Sequence, residues 1–176
     1  PLGVKFDIPI GNKIVRGRLL RGTMPGSDVP VFFVEQDDYY DRPDLYRHKG
    51  EDYKDNCERF VFFCRAALEA IRLAKLDVDV IHCHDWHAAL VPVLLGTGLR
   101  SSRVLREASS VLTIHNNAYQ GIFPKEYLPQ IGFSWNEFTM DKMEFYDQLN
   151  YLKSGIAFAD AISTVSPTYA QQIQNT

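Results

Sequence analysis

The sequence predicts an α/β fold: a parallel β-sheet flanked by helices and entered through an N-terminal β-meander. Three observations predict it. Val111, Leu112, Thr113 and Ile114 form a short run rich in β-branched residues and bounded by polar ones, the pattern of a strand buried in a parallel sheet. Val78 to His82 is a second apolar run of the same kind. From about residue 77 the order reads β-α-β-α-β-α, which demands a parallel sheet with right-handed crossovers.

The elements follow in order. VKFDIPI, KIVRGRLL and VPVFFVE are β-rich runs within residues 4–35, and Gly11-Asn12 and Pro25-Gly26 supply turn chemistry between them. Alternation through Ile14, Arg16, Arg18 and Leu20 is imperfect, so the register stays open. Asp37 to Lys54 is polar, aromatic and charged without a usable period, and reads as a surface loop. Asn56 is placed to cap a helix running to about Leu76, with Phe60, Val61, Phe63, Ala67, Leu68 and Ile71 on its apolar side. The strand 78–82 then feeds a helix from about Trp86 to Leu95. Asp85 is placed to cap that helix, and Pro92 to kink it or sit beside a break. Gly96-Thr97-Gly98 follows a helix, so it reads as a C-cap and loop and not as a nucleotide-binding glycine motif. Residues 101–110, with Arg100, Arg103 and Arg106 in and around them, read as a solvated connection. Lys125 to Asp147 should hold short helices and loops over the sheet. Many of its rings (Tyr127, Phe133, Trp135, Phe138, Phe145, Tyr146) are expected in the core. Gln148 to Phe158 reads as a helix, Asp160 to Val165 as a strand, and Ser166-Pro167 as the start of another helix.

Chemistry concentrates at strand ends. In open α/β sheets ligands bind just beyond the carboxyl ends of the strands. The run ending at Ile114 passes into His115, Asn116 and Asn117, then Tyr119, Gln120 and Gly121; the run ending at His82 passes into His84, Asp85, Trp86 and His87. One such histidine alone would favour a structural role, but two strand ends loaded alike point to a site. The run His82-Cys83-His84-Asp85-Trp86-His87 also resembles the HxHxDH run of metallo-β-lactamase-type hydrolases, with the aspartate one place early. His82 and His84 would share a strand face only if the strand reached residue 84, and the helix expected from Asp85 argues against that. Zinc would need further ligands. A serine hydrolase is excluded more simply, because the chain holds no GxSxG elbow.

Composition narrows the classes further. With 45% hydrophobic and 23% charged residues the chain is globular in type, and a formal charge of −3 gives no electrostatic case for nucleic acid or a membrane surface. No apolar run approaches the roughly 20 residues that span a bilayer. Cys57, Cys64 and Cys83 are odd in number and fall on predicted core elements, so reduced thiols in a cytosol-like compartment are expected.

HCHDWHAALVPVLL, VLTIHNNAYQGIFP and YLKSGIAFADAISTVSPTYAQQI, in that order, resemble the bacterial glycogen synthase and plant starch synthase family. The resemblance covers most of the chain from about Asp38 onward. It implies a Rossmann-like domain, the N-terminal, acceptor-side half of a two-domain GT-B glycosyltransferase. It also implies retaining transfer of glucose from ADP-glucose to the non-reducing end of an α-1,4-glucan, with no cofactor. His115 would be catalytic and, with Asn116, touch the donor glucose; Asp85, Trp86, Tyr46, Tyr119 and Gln120 would bind substrate, the first three on the acceptor side. Asn117 stands where many relatives carry an apolar residue. The family's lysine-glycine motif and its second domain, with the nucleotide pocket and catalytic glutamate, are not in this sequence. Residues 1–176 are therefore expected to be a single truncated domain, inactive alone and cytoplasmic, or in the plastid stroma if from a plant. A non-catalytic glycan-binding module of the same fold and a metal-dependent hydrolase remain as alternatives.

Overall fold

The meander forms where its turn residues allow it. The computed structural model of the chain describes residues 3–98 and 105–174. Strands β1 (Val4–Ile10), β2 (Lys13–Thr23) and β3 (Pro30–Glu35) pair antiparallel in that order. Gly11 and Gly26 take φ of +56° and +73°, the left-handed conformations the two turns need. Burial decides the open register: Phe6, Ile8, Ile10, Val15 and Leu19 face inward, while Ile14, Arg16 and Arg18 face water.

Residues 37–54 are more ordered than the loop expected of them. They hold α1 (Asp37–Tyr40), capped by the Gln36 side chain on Tyr39 N at 2.9 Å, and a hairpin of β4 (Arg47–His48) and β5 (Glu51–Asp52). Tyr39 is buried edge-on against Phe62. Helix α2 (Asn56–Leu73) then lies under the meander, buried on most of its circumference through Cys57, Phe60, Val61, Phe62, Cys64 and Leu68. Asn56 is not its cap. Asp55 holds that position without a side-chain bond, and the buried Asn56 amide turns outward to the preceding loop. The helix stops before Leu76 because Lys75 adopts φ +52°. The shared face of Cys57 and Cys64 is core packing, as expected, and burial pushes the Cys57 thiol up to about 12.

The parallel layer comprises β6 (Val80–His84), β7 (Ser109–Ile114) and β11 (Ala161–Thr164), in the order β11-β7-β6. Strand β6 begins and ends two residues later than its sequence implied, so His82 and His84 do share a face. The single helix expected after it is two, α3 (Asp85–Ala88) and α4 (Leu90–Gly96). Pro92 supplies no N–H for the Ala88 carbonyl, and Ala89 N closes a tighter turn on Trp86 O at 3.3 Å. Thr97 ends α4 with both its N–H and its hydroxyl on Val93 O. Arg100 and Arg103 lie outside the described residues; Arg106 is exposed, while Ser109 and Ser110 belong to β7.

Between β7 and β11 sits a small antiparallel sheet the sequence did not announce. It consists of β8 (Ile122–Pro124), β9 (Glu144–Phe145) and β10 (Gln148–Asn150), ordered β8-β10-β9, with α5 (Tyr127–Gln130) and a 3-10 turn at Trp135–Glu137 in its long connection. Of the rings expected in the core here only Phe133 is buried, and Leu128, Ile131, Met143 and Leu149 fill that space instead. Because Gln148–Asn150 pair as β10, helix α6 is confined to Tyr151–Phe158, capped by Asn150 on Lys153 N at 2.9 Å. Helix α7 (Pro167–Gln174) starts with proline in its first position, as read. Among the described residues no helix is long and apolar enough to cross a membrane.

Candidate functional site

The ends of β6 and β7 carry a connected set of imidazoles. His82 Nε2 meets Thr113 Oγ1 at 2.6 Å and Thr113 Oγ1 meets Ser163 Oγ at 2.6 Å, a bar of hydrogen bonds across all three parallel strands. One step further out, His84 Nδ1 lies 2.9 Å from His115 Nε2. One of those nitrogens must carry the hydrogen and the other the lone pair, so each ring fixes the other's tautomer. Burial, then the neighbouring His82 and His115, press the His84 pKa down, against an opposing pull from Asp85. His84 therefore stays neutral where an isolated imidazole would begin to protonate.

Asp85 corrects the sequence reading most sharply. Its carboxylate does not cap its own helix. Oδ1 accepts from His115 N at 2.7 Å and Asn116 N at 3.4 Å, so it caps the end of β7 instead. The backbone explains this: Asp85 has φ +56°, a left-handed conformation that costs a non-glycine residue roughly 1–2 kcal/mol. Strain of this kind persists where the surroundings hold it, commonly at functional positions. Beyond this point Asn116 Oδ1 accepts from Ala118 N at 2.9 Å and bends the chain, while Asn117 N donates to the Tyr169 hydroxyl of α7 at 2.7 Å.

That bend carries the chain over a cleft of about 530 Å³ whose walls include Tyr46, Asn56, Trp86, Tyr119, Gln120 and Gly121. Tyr119 stands exposed at its rim. Gln120 is held at both ends, donating to Asn117 O at 3.0 Å and accepting from Asn150 Nδ2 at 2.6 Å. The Tyr46 ring stacks on His87 with centroids 4.9 Å apart, and burial, aided by nearby Asp85, raises its phenol pKa. Trp86 is only 7% exposed, packed edge-on against Phe60 at 4.5 Å. Gly121, at φ +65°, lies on the indole so closely that a Cβ there would come within 2.4 Å of Trp86 Cε3. Trp86 is thus the floor of the cleft, with part of its face already covered.

The residues singled out by sequence therefore fall into two adjoining groups. Asp85, His115 and Asn116 form the strand-end cluster, and Tyr46, Trp86, Tyr119 and Gln120 border the cleft. The Asp85-Trp86 peptide and the 116–121 turn join them. Sequence reading missed His84 as the partner of His115, Asn56 as a cleft residue, and Gly121 as the residue that admits the turn; the NNAYQG run was the available signal for the last. Among the described residues no group of three or more His, Cys, Asp or Glu side chains is arranged to hold a metal, even with β6 extended to His84. A second cavity of about 420 Å³ lies at the meander, lined by Lys5, Arg16, the Arg18–Glu35 pair and Asp37, a solvated charged face.

A parallel sheet with helices packed on it and an antiparallel meander beyond them, with its polar groups gathered at the strand ends beside an aromatic cleft, defines a Rossmann-like α/β domain with a ligand site in the usual place for that class. Comparison with known proteins narrows the class. The family model described as the starch synthase catalytic domain matches residues 4–176, and the chain belongs to that family. The chain is 42% identical to a glycogen synthase of Rhodopirellula baltica over 97% of its own length and 36% of the relative's. It is 48% identical to a glycogen synthase of Thermodesulfovibrio yellowstonii over 85% of its length and 30% of the relative's. The structure is similar to the catalytic domain of starch synthase IV from Arabidopsis thaliana bound to ADP and acarbose. That match has a TM-score of 0.85 and 30% identity, covering 99% of this chain and 35% of the other. The chain thus spans about a third of the length of these relatives.

Proposed function

We propose that this chain forms the acceptor-side part of a retaining glucosyltransferase that moves glucose from ADP-glucose to the non-reducing end of an α-1,4-glucan, in glycogen or starch synthesis. The observation that carries the reading is the Asp85 carboxylate on the His115 amide, which fixes a polar strand end at the head of an aromatic cleft. Sugars present hydroxyl rims and apolar faces, and a cleft bordered by phenol, indole and amide groups suits both. His115 and Asn116 would face the donor glucose. Asp85, Trp86, Tyr46, Tyr119 and Gln120 would border the glucan. Departure of the diphosphate leaves a sugar of oxocarbenium character, and polar groups already oriented toward that charge lower the barrier. His115, held through its backbone by Asp85 and through its ring by His84, is such a group.

Family membership and the Arabidopsis relative bound to ADP and acarbose support the reading. The nucleotide would be held by the part of the relatives' length that this chain does not span, so residues 1–176 alone should transfer nothing. The proposed location is the cytoplasm, or the plastid stroma in a plant, in keeping with three buried free thiols; fractionation of cells carrying the tagged protein tests it. The activity is tested by following labelled glucose from ADP-glucose into glycogen with the full-length protein. Glucan binding without transfer would make the protein a glycan-binding module and overturn the proposal.

A further inference from the structure

Arg59 heads the fully buried side chains by size, at 1% exposure, and its charge is spent on neutral acceptors. Nε donates to Tyr39 O at 2.8 Å; Nη1 and Nη2 both reach Leu45 O at 3.1 Å; Nη1 also donates to Asn56 Oδ1 at 2.6 Å. Asn56 completes the relay by donating from Nδ2 to Tyr46 O at 2.9 Å, an oxygen that Tyr53 N shares at 3.0 Å. The Tyr53 ring in turn lies 5.1 Å from the Arg59 guanidinium and 4.7 Å from that of Arg42, itself locked on Asp55. Desolvating a cation costs far more than burying a methionine of similar size, so packing alone gives no reason for arginine here. What arginine offers is a planar fork of donors, and its donor bonds end on α1 at Tyr39, on Leu45 in the segment between α1 and α2, and on Asn56. That segment carries Tyr46, the cleft wall opposite the 118–121 turn.

We propose that Arg59 is a positioning residue for the acceptor side of the cleft. It holds the carbonyls of Tyr39 and Leu45 directly and that of Tyr46 through Asn56, and so sets where the Tyr46 ring stands. It governs acceptor affinity without touching sugar. The inference rests on the proposed reading of the cleft as the glucan site.

The test uses the full-length enzyme with Arg59→Met, Arg59→Lys and, as a benchmark, Tyr46→Ala. KM for glycogen and KM for ADP-glucose are measured separately. Arg59→Met should raise the glycogen KM about tenfold or more, the scale of misplacing a binding group by a fraction of an ångström to an ångström, with the ADP-glucose KM within twofold. Arg59→Lys should fall between, because an ammonium keeps the charge but not the fork; it carries the test alone if the methionine variant does not fold. A glycogen KM unmoved in the arginine variants, or both KM values moved equally, while Tyr46→Ala raises the glycogen KM, overturns the role of Arg59 and leaves the cleft reading standing. A glycogen KM unmoved in Tyr46→Ala removes the cleft reading and the inference with it.

Discussion

The two halves of the site are built by opposite means. The strand-end cluster stands on the parallel sheet: β6 and β7 deliver His84 and His115, and backbone pairing fixes their separation. The cleft wall at Tyr46 stands on a segment with little regular structure, held by side chains reaching back to carbonyl groups. The first is positioned by secondary structure and the second by a few buried polar groups. A substitution therefore acts locally in the one and spreads through a loop in the other.

The largest effect should come from Trp86, where the two halves meet. Trp86→Ala empties a buried site, costing about 3–5 kcal/mol, and thermal melting should register it as a large loss of stability together with loss of both donor and glucan use. Unchanged melting with a selective glucan defect would mean that the indole serves chiefly as a sugar platform. Next comes His115→Ala in the full-length enzyme, expected to cut transfer by about two orders of magnitude, or about 2.7 kcal/mol, while melting stays near the parent's because the ring is exposed. Activity within a few-fold of the parent would reduce the strand-end cluster to scaffold.

Asp85 separates backbone from carboxylate. Asparagine tolerates a left-handed φ and can accept from His115 N, so Asp85→Asn should keep most of the stability. Asp85→Ala and Asp85→Ser retain the strain without that bond and should lose about 1 kcal/mol. Asp85→Gly relieves the strain and should melt near the parent while still impairing transfer. If serine rescued stability as well as asparagine does, the residue would be an ordinary helix cap after all. The smallest effect is on pH. Burial lowers the pKa of both His84 and His87, so the unfolded chain binds their protons first as pH falls. Stability should therefore be full above the ordinary histidine range and decline as pH drops through it toward the lowered folded values. A His84→Gln variant should flatten part of that decline, which chemical denaturation at a series of pH values would detect.

Legibility followed the same division. An apolar run such as Val111–Ile114 was readable because local pattern and tertiary burial agree. The core face of α2 was readable only in part: Phe60, Val61 and Leu68 are buried as expected, but Phe63, Ala67 and Ile71 are half-buried and Phe62, Ala66 and Ala70 face the core instead. The β8-β10-β9 sheet and the α1 segment were not, since the strands of the first are two or three residues long and pair across a long connection, and the second is held by a distant side chain. His115, Asp85 and the 116–121 turn were found together because strand ends are where such sheets place ligands. Asp85 was misassigned as a helix cap because nothing in its neighbours reveals a positive φ. Tyr46 rested on family resemblance alone, as a loop held by a buried arginine leaves no periodic trace.

The two tryptophans of the chain differ in a way that has an optical consequence. Trp86 is 7% exposed beneath Tyr46 and beside Phe60, His87 and Gly121, while Trp135 is 53% exposed on the 3-10 turn. An indole in a dry aromatic setting emits at shorter wavelength than a hydrated one and resists soluble quenchers. Replacing Trp135 with phenylalanine leaves the floor of the cleft as the one tryptophan emitter in this stretch, so occupancy above it becomes readable as colour and quenching, without a label and in a cuvette.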